Sequence, residues 1–523
     1  MSNNIKKALF FLIAIIIVMV SCIKMSPYPP DVDTVLKEAG DNRVELEKVL
    51  KFYSAGDDTL KLQAAYFLIG NMEGHCYATY ILHDSSGNEI NFNVLDYPDF
   101  KTLLKASDSL EAQYGELDFK KDELIYDIDN ITADFLIEQI DYAFVAWREK
   151  PWAKYLSFED FCKYVLPYRG SNEPLERWRS IFRDKYADIE NKMTDPTDPI
   201  EAACLINDDI RSWFKFDERY YYHPVDQGIS EMLENKMGRC EDMTNITIYA
   251  LRANGLAVTS DYTPYWASSG NNHAWNAIAA PDGNVIPFMG AEANPGSYNL
   301  AHKFAKVYRK MYGQQKDNLI FQDKKQEEVP RWLAGKSYLD VTADYIDVCD
   351  VEITFDRDIP DSVDIAYICV FNSGKWKAIH WGKIEGNSAV FTDMGKDIAY
   401  LPSLYINEEV YSFGLPFILN NDCTIRELKS SDSETAMVKV ASTTKRKLAK
   451  STDQAAVSSL AKGKEYELFY WQDEWKSLGK AIAGSKPLAF DDVPAKGLYW
   501  LVVENSDEEE RIFTYENDRQ VWW

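Results

Sequence analysis

The spacing of apolar positions changes three times along this chain, and each change marks a region. Residues 8–20 are an almost unbroken apolar run behind a short basic start at Lys6 and Lys7. That run is too short to cross a bilayer comfortably and has the length of a secretory leader's core. The Pro-rich, polar stretch 26–33 suits an extended tether. Apolar residues then recur at helical intervals, as in Val35 and Leu36, Leu46, Val49 and Leu50, and Leu60, Leu62, Tyr66 and Phe67, with Asn71-Met72-Glu73-Gly74 as a stop. The spacing predicts a helical domain over 34–186. Within 187–330 it predicts helices over 200–214, 228–236 and 241–254, the last closed by Gly255. Alternating strands follow over 257–265, 274–280 and 285–288, the last two joined by the turn Pro281-Asp282-Gly283-Asn284. Helices followed by antiparallel strands define an α+β order.

Beyond about residue 331 the pattern is short strands separated by turns, and it repeats. A shift of 99 positions superimposes Tyr367 on Tyr466, Trp376 on Trp475, Lys377 on Lys476, Phe391 on Phe490, Asp393 on Asp492 and Tyr400 on Tyr499. Such register predicts two β-sandwich-like modules, 336–428 and 429–523, with a Ser/Lys-rich stretch over 429–464. The repeated tryptophans Trp376 and Trp475, with Trp381, Trp471, Trp522 and Trp523, read first as the core signature of the module. Stacking on sugar rings is the competing reading.

Length changes the picture only by requiring several cores: 523 residues correspond to three or four domains. Charge is more selective. The chain carries 57 basic and 83 acidic residues; removing residues 1–21 takes Lys6 and Lys7 and leaves 55 against 83, or −28. A surface of that sign repels phosphate backbones and excludes nucleic acid as a partner. At the end of the leader, Met19-Val20-Ser21-Cys22 resembles the bacterial lipobox, in which the cysteine is lipidated and becomes the new N-terminus. The expectation is a leader over 1–21, Cys22 as the lipid attachment, a tether over 22–33, and a protein anchored in the cell envelope, on the periplasmic or surface-exposed face of the outer membrane. The seven other cysteines show no CxxC spacing, so neither a disulfide framework nor a zinc site can be argued, and at least one thiol should be free. No Gly-rich phosphate loop, HExxH or EF-hand loop occurs, and no cofactor is expected.

The strongest chemical signal is Gly238-Arg239-Cys240-Glu241-Asp242, followed 33 residues after the cysteine by Asn272-His273-Ala274-Trp275-Asn276. A thiol attacks as thiolate, and a helix N-terminus and a nearby imidazolium both favour that form. Cys240 opens a predicted helix, and Gly238 permits a sharp approach to it. His273 starts a strand, from which it can take the thiol proton and return it to a leaving group. Asp242 reads as a charge that stabilises the helix start, and His75 as a local packing histidine.

These residues resemble the transglutaminase-like superfamily, a branch of the papain-like fold: Gly-x-Cys-x-Asp at a helix start, the helix end Arg252-Ala253-Asn254-Gly255, and His-Ala-Trp on a strand. The segment 210–217 is similar to the helix and turn leading into that core, and the resemblance covers about residues 202–295. Residues 60–69, 71–75, 167–169 and 172–173 are similar to a multidomain lipoprotein group of Bacteroidetes. The superfamily resemblance implies an α+β, papain-like core with Cys240 as nucleophile, His273 as base and the Cys240 N–H toward the oxyanion. It also implies an Asp-Pro about sixteen residues past the histidine, where this chain has Met289. If Ala280 and Val285 flank the hairpin, His273 lies opposite Glu292, which becomes the candidate orienter of the ring with Asn294 behind it. The expected activity is thiol-dependent acyl transfer on a peptide, protein or glycopeptide, by hydrolysis as a peptidase or amidase, or to an amine as a transglutaminase. An inert surface protein binding glycan or protein is the alternative.

Overall fold

The computed structural model describes residues 26–323, 328–431, 433–448, 454, 457–504, 506 and 509–523. The leader and the lipobox with Cys22 lie outside the described residues. Among the described residues two compact units emerge, one comprising residues 26–77 with Leu124–Asp141, the other Ala78–Glu123 with Tyr142–Trp523. These units do not follow the expected boundaries at 186, 330 and 428.

In the first unit, helices Pro30–Glu38, Arg43–Ser54 and Thr59–Gly70 bury an apolar face of Val32, Val35, Leu36, Leu46, Leu50 and Leu68. The stretch expected to be an extended tether is therefore partly helical. Pro30 sits at the first helical position, where its missing N–H costs nothing, and Asp31 and Asp33 complement the positive end of the helix. The region expected to be helical over 34–186 also holds a pair of strands, Cys76–His83 and Asp118–Tyr126.

The second unit contains the helix-then-antiparallel-strand order. Helix α1 (Pro199–Trp213) and helix α2 (Cys240–Ala253) precede strands β1 (Val258–Thr263), β2 (His273–Ala279), β3 (Val285–Phe288), β4 (Tyr308–Lys310) and β5 (Tyr338–Asp340). The sheet runs β3-β2-β1-β4-β5, antiparallel throughout. Its last strand lies inside the segment expected to begin the first β module. Helix α2 packs on β1 and β2 and is buried at every residue except Glu241, as a central core helix is. Its other side is covered by residues from the expected helical domain: Trp178 stacks on Tyr249 at 4.9 Å, and Arg252 donates to the carbonyls of Tyr164, Pro167 and Arg169. Gly255, φ +76°, ends α2 with a two-bond stop, Gly255 N–H to Arg252 and Leu256 N–H to Leu251.

The duplication is visible in three dimensions. Tyr400 and Tyr499 each donate to the carbonyl five residues back, Gly395 and Pro494, and each packs at 5.7 Å on a phenylalanine of the neighbouring strand, Phe417 and Phe513. Asp393 and Asp492 both adopt positive φ. Strands 365–372 and 465–472 are offset by 100 rather than 99, because Val370 pairs with Tyr400 whereas Tyr470 pairs with Tyr499. Tyr367 and Tyr466 are thus the one aligned pair out of structural register. The first copy forms an eight-stranded sheet; the second forms a two-stranded and a five-stranded sheet. Trp376 and Trp471, 5.7 Å apart, are buried where the copies meet, with Trp475 5.0 Å from Trp471. Cys349 is joined to Cys423 by a disulfide across 74 residues of the first copy, a pairing not apparent from sequence spacing.

Candidate active site

Cys240 is the first residue of α2. Its local geometry is fixed by two neighbours. Asp242 turns back on the helix start, accepting Arg239 N–H at 2.9 Å and Gln227 N–H at 3.0 Å. Burial, then the charge of Asp226, raise the Asp242 pKa to about 6. Gly238 keeps an ordinary backbone angle, and its role is space: a Cβ there would come within 2.5 Å of the Asp242 Cβ. The glycine therefore serves close approach rather than a sharp turn.

Cys240 is 8% exposed, at the start of a helix that packs on β2. In the resting arrangement the thiol donates to Glu241 Oε2 at 3.0 Å. Burial, then the Glu241 carboxylate, push the thiol pKa up, with the Ala274 N–H and Arg239 pulling the other way. His273, the residue before Ala274, is held in an aromatic setting of Trp266 at 5.9 Å and Trp275 at 5.8 Å between ring centroids. Burial lowers its pKa, partly opposed by Glu241. Both groups therefore rest neutral near pH 7, and no direct hydrogen bond joins them.

The hydrogen bond on the imidazole comes from a residue the sequence did not suggest. Tyr298 Oη lies 2.6 Å from His273 Nε2. Burial, then the charges of Glu292 and Cys240, push the phenol upward, so phenol, sulfur and carboxylate share one neighbourhood. Glu292 itself is exposed and does not hold the ring. The hairpin pairs Ala279, not Ala280, with Val285, a one-residue shift that changes every facing position. Strand β3 ends at Phe288, and a turn bridging Met289 and Ala293 removes Glu292 from the ladder. Asn294 is engaged elsewhere, accepting from Asn207 at 2.8 Å and donating to Asp208 at 3.0 Å on α1. Tyr298 follows in a loop without periodicity, so pattern reasoning had no signal for it.

A polar cavity of about 380 Å³ opens on Cys240. Its walls include Tyr221 and Asn172, and its charges balance, Arg239 and Lys310 against Asp226 and Glu241. Arg239 is anchored by Asp226 at 2.9 Å. Among the described residues, no group of three or more His, Cys, Asp or Glu side chains is placed to hold a metal ion. Nor is any helix among them long and apolar enough to cross a membrane.

Comparison with known families matches residues 187–288 to the transglutaminase-like superfamily. That segment ends with β3 and contains both Cys240 and His273. No curated protein matches the chain significantly. The central domain is transglutaminase-like, in a chain of mixed helix and sheet.

Proposed function

We propose that Cys240 and His273 form a thiol-dependent acyl-transfer centre on an envelope lipoprotein, acting on peptide or carboxamide bonds. The observation that carries this reading is a cysteine at the start of a buried helix that packs on the strand beginning with His273. Tyr298 accepts from Nε2–H, which leaves the lone pair on Nδ1 as the base. As the sulfur attacks the carbonyl carbon, its proton passes to Nδ1, and the Cys240 N–H meets the developing oxyanion. The imidazolium then protonates the departing amine, leaving a thioester that water, or a second amine, resolves. Because thiol and imidazole rest neutral, the proton moves during attack rather than before it. The balanced charges around the cavity favour a neutral, hydrogen-bonding acyl group over an anionic or aliphatic one. The lipobox-like Met19-Val20-Ser21-Cys22 and the Cys349–Cys423 bond suit an anchored protein in an oxidising compartment.

The test is turnover of a peptide and glycopeptide library by wild-type and Cys240→Ala protein, with mass spectrometry for a covalent acyl adduct on Cys240. Turnover or an adduct that vanishes in Cys240→Ala is the expected result. One observation favours the alternative of an inert binding protein: the resting thiol is tied to Glu241. Iodoacetamide reaction at pH 6 no faster than that of a free thiol, and unchanged in His273→Ala, decides for that alternative.

A further inference from the structure

The loop that delivers His273 is not held by its own domain alone. Between β1 and β2, the carbonyls of Trp266, Ala267, Ser269 and Asn271 all accept from side chains of the two C-terminal copies. Asn372 ends a strand of the first copy and is 2% exposed; its Nδ2 reaches the carbonyls of Trp266 at 3.0 Å, Ser269 at 3.0 Å and Asn271 at 2.9 Å. The adjacent Ser373 hydroxyl accepts Asn271 N–H at 3.3 Å. Arg511, from the second copy and 5% exposed, donates to Ala267 and, at 3.2 Å, to Ser269. The same guanidinium holds the Phe371 carbonyl and the terminal carboxylate oxygen of Trp523.

Arg511 pairs with no Asp or Glu side chain among the described residues, and burial lowers its pKa to about 9. A buried guanidinium is unfavourable unless its donors are used. Here they meet main-chain oxygens from three parts of the chain at once: the loop before His273, the first copy and the second copy. The loop also contributes Asn271 and Asn272 to the cavity at Cys240, so its position sets both the base and one wall.

We infer that Asn372 and Arg511 are positioning residues for the Cys240–His273 site, and that the duplicated β copies are part of the catalytic framework rather than detachable ligand-binding modules. This inference rests on the acyl-transfer reading. Removing either clamp frees loop carbonyls, the loop samples other conformations, and Nδ1 of His273 spends less time aimed at the sulfur.

The experiment uses full-length protein with Arg511→Lys and Asn372→Ser as independent variants, so that one decides if the other does not fold. Hydrogen exchange is measured over residues 266–273, over α2 and over strand 465–472. The His273-dependent part of Cys240 alkylation by iodoacetamide is followed from pH 5 to 9. Expected is exchange faster by about tenfold in the loop with α2 and strand 465–472 unchanged. The His273-dependent alkylation rate falls about tenfold or more in the same variants. Unchanged loop exchange overturns the clamp. Faster loop exchange with an unaltered alkylation profile overturns the positioning role. A wild-type rate already independent of His273 defeats the acyl-transfer reading, and the positioning role with it, while loop exchange still reports separately on the clamp.

Discussion

Tyr298→Phe removes one oxygen from the site and leaves the ring in place, which makes it the most direct test of who orients His273. At rest both partners are neutral, and the lost 2.6 Å hydrogen bond changes little. During attack the imidazole becomes imidazolium, and the Nε2–H then donates from a charged ring. Hydrogen bonds to charged groups contribute about 1.5–3 kcal/mol, and each 1.4 kcal/mol is about tenfold in rate, so the expected loss is about 10- to 150-fold. The assay is the rate of Cys240 alkylation, with thermal unfolding as a check that the fold is intact. Glu292→Gln serves as the comparison: its carboxylate acts on the phenol only through charge, and its loss should alter the rate by less than about threefold. If Tyr298→Phe reacts as fast as wild type while His273→Ala is slow, Tyr298 does not orient the ring. If Glu292→Gln is the slow variant, the carboxylate reaches the histidine by a route the resting arrangement does not contain.

Three other outcomes follow from the same geometry. Glu241→Gln removes the charge that raises the thiol's pKa, so Cys240 alkylation should begin at lower pH than in wild type; an alkylation onset shifted to higher pH refutes the assigned sign. Reducing Cys349–Cys423, or replacing Cys423 with Ser, opens a 74-residue loop worth about 4 kcal/mol by chain entropy, to be read from denaturant midpoints with and without reductant. Gly255→Ala places a Cβ 2.8 Å from the Ala146 carbonyl at φ +76°, and should lower stability by about 1–3 kcal/mol, measured by the same unfolding assay.

What was legible in the sequence was whatever depended on neighbours along the chain. Cys240 at a helix start and His273 at a strand start follow from the spacing of apolar residues and from Gly255 as a stop. The hairpin after His273 shows the limit: its turn residues were recognisable, but the pairing partner of Val285 was misassigned by one residue. The turn closes from Ala280 N–H to Asn284 O at 2.8 Å, which leaves Ala280 outside the strand. One residue sufficed to turn Glu292 from a facing side chain into an exposed one. The tether failed for a different reason: consecutive prolines signal extended chain, but Pro30 is also compatible with the first turn of a helix. The repeat was legible because aromatic positions recur, while the offset of strand 465–472 was not, since an ungapped alignment cannot register that its hairpin, where Gln472 pairs with Glu474, is one residue shorter than the one where Asn372 pairs with Lys375.

The remaining features were invisible because they depend on residues brought together from far along the chain. Cys349 meets Cys423 only when the first β copy has folded, and nothing in their spacing marks them as a pair. Asn372 and Arg511 lie 99 and 238 residues past His273, one at the end of a strand and the other just before one, in stretches whose sequence pattern speaks of packing alone. The buried tryptophans between the copies fit the same logic, since faces used to join Trp376 to Trp471 are not open to a ligand. A duplicated pair of β modules fused to a thiol domain would ordinarily suggest substrate capture at a distance. The hydrogen bonds from Asn372 and Arg511 to the loop before His273 argue instead for a structural dependence, in which that loop is completed by residues of both β copies. If so, a chain ended after residue 341, keeping the N-terminal residues that cover α2, should show a loop that exchanges freely and a Cys240 no more reactive than in His273→Ala, with exchange in α2 as the check on folding. A reactive, well-protected truncated chain would return the β copies to the role of accessory modules.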